Sequence, residues 1–174
     1  MSEDVTRERM AVGEAELLRP IISAWCDAKG VVAPQAFNLS SADKQDSNRL
    51  SIVRGDATTP DQAYADRASH IKKRCVEKGK TYTPPVGVLA VTVEEVESVE
   101  LGASEDSRTP LTVWDDSMNA DRPDDHGHID FNGVPPGDRG ACLFVAKAML
   151  AQAEARGWKF RPTEHPEERW PIQP

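Results

Sequence analysis

The octapeptide VGVLAVTV, Val86 to Val93, constrains the fold more than any other stretch of the chain. Side chains of a strand alternate between its two faces. Here both sets are apolar, so the strand is buried on both sides, which predicts a central place in its sheet. Pro84 and Pro85 stop it from starting earlier. Directly after it, Thr92 and Glu95 have the T-x-x-E spacing of a capping box, which opens a short helix through Val96 and Val99.

Two longer helices are legible by their periodicity. Thr59 and Pro60 suit a helix start, and Tyr64, Ala68, Ile71 and Cys75 recur at helical spacing up to a stop at Gly79. Lys72, Lys73, Arg74 and Lys78 fall near the negative end of this helix. The helix dipole accounts for them without a ligand, although such a cluster also suits an anion. A second helix runs from near Asp138 to Arg156, with Val145, Ala146, Met149, Leu150 and Ala153 on one face and Gly157 at its end. In RPIISAWCDAKG, Pro20 suits a first helical residue, with Ile21, Ile22, Trp25 and Cys26 on one face; an extended entry is the alternative. The run AFNLSSADKQDSNRLSIVRGD reads as two short strands around a polar connection, the second over Leu50 to Arg54. Further strands are expected at 111–114 and 126–131. Together these predict one α+β domain over residues 17–160, a small mixed β-sheet packed on one face by the two main helices. Residues 1–16 are expected to form a flexible N-terminal segment. Residues 161–174 are expected to form a tail containing prolines and Trp170, with Trp158 and Phe160 before it strapped onto the core.

Composition narrows the function classes. With 29 acidic against 21 basic residues the formal charge is −8, which disfavours direct binding to nucleic acid or anionic membranes. The three cysteines, Cys26, Cys75 and Cys142, are scattered and form no C-x-x-C pair, the pattern of free thiols in a reducing cytoplasm. The segment MSEDVTRERM has no apolar core of a signal peptide, and no run approaches the ~18 apolar residues of a membrane span. The chain has no G-x-x-x-x-G-K, G-x-G-x-x-G or G-x-S-x-G, so no cofactor is expected.

The stretch PDDHGHIDF, Pro123 to Phe131, carries the chemistry worth weighing. On a strand His126, His128 and Asp130 share one face, a possible set of metal ligands. The H-x-H-x-D spacing is similar to the metal-binding run of metallo-β-lactamase-like hydrolases. That likeness covers five residues, and Phe131 stands where the family has a further histidine, so its activity is not carried over. The simpler reading is an amphipathic strand, with Ile129 and Phe131 inward and His128 outward or in a shallow groove, binding no metal. As an enzyme, the chain would use His126 as acid–base group with Asp125 orienting it and Arg54 binding an anion. Upstream, residues 102–125 are strongly acidic. Asp115, Ser117, Asn119 and Asp121 have calcium-loop spacing, but Ala120 and His126 occupy positions that need Gly and Glu.

Taken in series, LLRPI, LSIVRGDATTPDQAYAD, VGVLAVTVEEV, DHGHIDF and AKAMLAQAEARGW resemble a group of small uncharacterised bacterial cytosolic proteins. The resemblance spans about residues 17 to 158 and implies a compact one-domain protein, without bringing an activity or a catalytic residue. The leading expectation is a non-enzymatic accessory or adaptor protein that binds a protein partner in the bacterial cytoplasm, in the manner of toxin–antitoxin or phage-defence cassettes. Trp114, Asp115, Asp116, Asp121 and Trp170 would form its contact surface. The alternative is a metal-assisted hydrolase or nucleotide-processing enzyme that uses the His126, His128 and Asp130 strand.

Overall fold

The apolar octapeptide does form a strand, and its residues Gly87 to Val91 are all buried. A computed structural model describes residues 6–13, 15–103 and 105–163. In chain order its strands are β1 (Glu8–Arg9), β2 (Glu16–Ile21), β3 (Arg49–Arg54), β4 (Gly87–Thr92), β5 (Thr112–Asp115) and β6 (His126–Asp130). Its α-helices are α1 (Ser41–Gln45), α2 (Pro60–Glu77), α3 (Val93–Glu97) and α4 (Arg139–Arg156). The sheet has the order β1-β5-β6-β3-β2-β4, with antiparallel neighbours throughout. No described helix is long and apolar enough to cross a membrane.

The protein is thus α+β, as the segment pattern predicts. The two main helices, however, pack on opposite faces of the sheet rather than sharing one. On the first face Val145, Ala146, Met149 and Ala153 of α4 join a core with Leu50, Leu89, Val91, Val113, Ile129 and Phe131. On the second face Ala63 and Tyr64 of α2 cover Leu18, Val88 and Ala90. A strand apolar on both sides demands this: with both helices on one face, Val88 would lie in water and lose roughly 1.5–3 kcal/mol of burial. β4 is also an edge strand, not a central one. Its outer edge is closed by the chain after α4, where Val88 N donates to Phe160 O (2.9 Å) and Lys159 N to Val88 O (2.9 Å).

The segment around Pro20 is a strand, not a helix. Ile21 O accepts from Val86 N (2.7 Å), so Ile21 faces β4 and the preceding residue, Pro20, turns its nitrogen towards β3. A proline cannot donate there. The β2–β3 ladder accordingly holds only two register pairs, Leu17 with Arg54 and Leu18 with Val53. Beyond them the strands part, and the guanidinium of Arg19 bridges the gap: Nε donates to Ala36 O (2.7 Å) and an Nη to Ser51 O (2.5 Å). Asp43 of α1 accepts from Ser51 N (3.3 Å). α1 itself, closed by a capping box between Ser40 and Asp43, stands in the expected polar connection. A 3-10 turn at Pro34–Phe37 replaces the first of the two strands expected there.

The N-terminal segment is not wholly loose. Glu8 pairs with Asp115 and Arg9 with Trp114, and Met10 N donates to Val113 O (3.0 Å). Glu16 already belongs to β2.

Candidate active site

The parting of β2 and β3 opens the second face of the sheet between α2 and the loop that follows β5. Register sets the floor: Ser51 lies opposite His128, Val53 opposite His126, and Arg49 opposite Asp130. The loop starts at Asp116, folds back over this floor and places one carboxylate between two imidazoles. His126 Nδ1 is 2.5 Å from Asp116 Oδ1 and His128 Nδ1 is 2.9 Å from Oδ2. On its far side His126 Nε2 meets Ser51 Oγ at 2.9 Å. His128 Nε2 meets an Nη of Arg7 at 3.2 Å, and the same Nη donates to Asp130 Oδ2 at 2.6 Å.

The donor chemistry assigns the protons. A carboxylate only accepts and a guanidinium only donates. His128 therefore donates from Nδ1 to Asp116 and accepts from Arg7 at Nε2, which makes it the neutral Nδ1–H tautomer. His126 likewise gives its Nδ1–H to Asp116; its Nε2 is paired with Ser51 Oγ, a hydroxyl that both donates and accepts, and in the neutral form it accepts the hydroxyl proton. Burial pushes the Asp116 carboxyl up, but the bonds from His126 and His128 outweigh it and hold the group far below the ordinary carboxylate range. Burial also raises Asp130, and the bond from Arg7 carries it the other way, to a net lowering.

The loop is pinned at several points. Asp115 pairs with Arg54 (2.5 Å) and accepts from Ser117 N and Oγ (2.9 and 2.7 Å). Asn119 exchanges two bonds with the Thr6 backbone (3.1 and 2.7 Å). Arg122 pairs with Asp46 beside α1 (2.6 Å). Between this loop and α2 lies a cleft of about 550 Å³, with Ser51 and His126 on its floor, Arg67 and His70 on the α2 wall and Arg122 on the loop wall.

A hydroxyl, an imidazole and a buried carboxylate stand here in the order that a nucleophile–base–orienter relay requires, with both links inside hydrogen-bond reach. Ser51 is in the middle of a strand and its own N–H is engaged by Asp43. That N–H is therefore not free to bind an oxyanion.

The structure relocates several residues singled out above. His128 is fully buried, not outward, because the loop and Arg7 cover the polar side of β6. Two-residue alternation placed it on the correct side of the strand; equating that side with solvent is what fails. The nitrogens of His126 and His128 are all engaged by Asp116, Ser51 and Arg7, and Asp130 by Arg7. Among the described residues no three His, Cys, Asp or Glu side chains are placed to hold a metal. Asp125 does not orient His126; Asp116 does. Arg54 turns to Asp56 (2.9 Å) and Asp115, away from the cleft floor. Of the expected contact surface, Asp116 is fully buried and cannot meet a partner. Trp114 lies under Arg7 and Arg9, at 4.1 and 5.2 Å from its ring centre. Asp115 is paired, Asp121 is exposed at the cleft rim, and Trp170 lies outside the described residues. Ser51, Arg7 and the orienting role of Asp116 carry no local signal in the sequence.

Fold and site together describe an α+β protein with a Ser–His–Asp hydrogen-bond chain at a cleft lined by Arg19, Arg67 and Arg122 and by Asp66, Asp121 and Asp125. Comparison with protein families, curated proteins and solved structures finds no match for this chain.

Proposed function

We propose that the protein is a serine hydrolase of carboxylic esters, with Ser51 as nucleophile, His126 as general base and Asp116 as the group that orients and charges the imidazole. The relay from Ser51 Oγ through His126 to Asp116 is the observation that carries this reading. Ser51 Oγ attacks the ester carbonyl carbon while its proton passes to His126 Nε2. Asp116 stabilises the imidazolium. The carbonyl oxygen takes the negative charge. His126 then hands the proton to the leaving alkoxide, the C–O bond breaks, and water repeats the sequence on the acyl-enzyme. The hydrolytic alternative weighed above is kept in this reading without its metal.

The test is a fluorophosphonate probe followed by peptide mass spectrometry. Wild-type protein is expected to be labelled at Ser51, and His126→Ala to slow labelling by at least about 10²-fold, the usual contribution of a general base. A correctly folded wild type that the probe leaves unlabelled would sink the proposal.

A second reading, an accessory protein that binds a protein partner in the bacterial cytoplasm, is supported by α4. Phe144 is 55% exposed beside Leu143 on its outward side. Affinity purification of the full chain from its native host checks this. A stoichiometric partner that Phe144→Asp abolishes supports it, and recovery of the chain alone counts against it.

A further inference from the structure

A second cavity, about 300 Å³, adjoins the cleft along α2, and the two share Arg67 and His70. Arg74, Lys78 and Lys80 also line it, and no acidic residue does. Among the described residues none of Arg67, Arg74, Lys78 and Lys80 has a carboxylate within ion-pair distance. Among the described residues Arg7, Arg9, Arg49, Arg54, Arg122 and Arg156 are ion-paired, whereas Arg67 and Arg74 are not. The dipole of α2 accounts for cations in its last turn. It does not account for Arg67, mid-helix, or for Lys80, beyond the helix, converging on one hollow. Crowding leaves its mark: burial, then Arg74, lowers Arg67 against the pull of Asp43, and burial, then Arg67, Arg74 and Lys73, lowers His70 against that of Glu77. A bound dianion relieves that repulsion.

We propose that this cavity binds the phosphate of a small phosphorylated ester whose carbonyl reaches Ser51 along the shared wall of Arg67 and His70. The phosphate half rests on the cavity alone; the ester half rests on the serine-hydrolase reading. A concave hollow of this size fits a phosphate group rather than the extended basic track that nucleic acid requires.

Calorimetry with inorganic pyrophosphate at low salt tests the phosphate half on the full chain. Wild type and Ser51→Ala are expected to bind equally. Arg74→Glu is expected to weaken binding at least about tenfold, the loss of one charge-assisted contact. Lys147→Glu, the same charge change on exposed α4, is expected to shift it less than about twofold, because screening confines distant charges. Pyrophosphate is also expected to slow fluorophosphonate labelling of Ser51. Absence of saturable binding, or equal weakening by Lys147→Glu, overturns the site while leaving any Ser51 labelling intact. Specific binding without labelling removes the ester half together with the serine-hydrolase reading. A single-stranded oligonucleotide that binds more tightly than pyrophosphate overturns the assignment to a small molecule.

Discussion

Over β2 and β4 the second face of the sheet is covered by helix α2, and the contact is apolar. Leu18, Val88 and Ala90 lie under Ala63 and Tyr64, with the Phe160 ring 5.1 Å from that of Tyr64. Over β3, β5 and β6 the same face is covered by a loop, and the contact is a chain of hydrogen bonds from Arg7 through His128, Asp116 and His126 to Ser51. Both halves have fully buried centres, Val88 and Ala90 in one and Asp116 and His128 in the other, for different reasons. Apolar burial is non-directional and tolerates small shifts. A buried charge is stable only while each donor meets its acceptor, so the loop has to be held in one geometry. That geometry is what leaves one nitrogen, His126 Nε2, aimed at a hydroxyl in a cleft.

The comparison breaks most visibly at Asp116. Asp116→Ala is expected to cost about 3–5 kcal/mol in urea unfolding, because it leaves two buried imidazole N–H groups without an acceptor. Arg122 loses the carboxylate 3.8 Å from its Nε but keeps its pair with Asp46. On the apolar half Leu18→Ala is expected to cost about 2–5 kcal/mol, the range for a buried leucine. His128→Ala is expected to cost about 1–3 kcal/mol, since it strands one Asp116 oxygen and one Arg7 donor. A loss within about 0.5 kcal/mol, typical of a surface change, would mean that the histidine is not part of the cover.

The smallest effect separates the halves by pH. Burial raises the Asp116 carboxyl, the bonds from His126 and His128 lower it, and the net shift is downward. On acidification the unfolded chain therefore takes up this proton before the folded one. The contribution of Asp116 to stability is complete above the ordinary carboxylate value of about 3.9 and is lost as pH falls below it. The stability gap between wild type and Asp116→Asn is thus expected to narrow from pH 7 towards pH 3. The gap for Leu18→Ala is expected to stay constant, as nothing in the apolar half that it touches titrates there. Parallel behaviour of the two variants would show that the polar half is not held by an ionised Asp116.

Local chemistry by itself determined much of the framework. Helix α2 with Gly79 after it, α4 between Asp138 and Gly157, the Thr92–Glu95 capping box, and the strands at Gly87–Thr92 and His126–Asp130 all follow from periodicity and caps within a few residues. The sequence also put His126, His128 and Asp130 on one side of their strand. Tertiary structure decided everything that depends on a neighbour distant in the chain. Whether Pro20 starts a helix or sits in a strand turns on β4, which pairs with residues 16–21 along their whole length. Whether a strand apolar on both faces is central or at an edge turns on the segment at Phe160 that closes it. Ser51 and His126 are 75 residues apart. They meet because the ladder between β3 and β6 sets the register, with Ser51 opposite His128 and Val53 opposite His126. Asp116 reaches both histidines only because the loop folds back over the sheet. Alternation tells which way a side chain leaves its strand; what it finds there is a matter of packing.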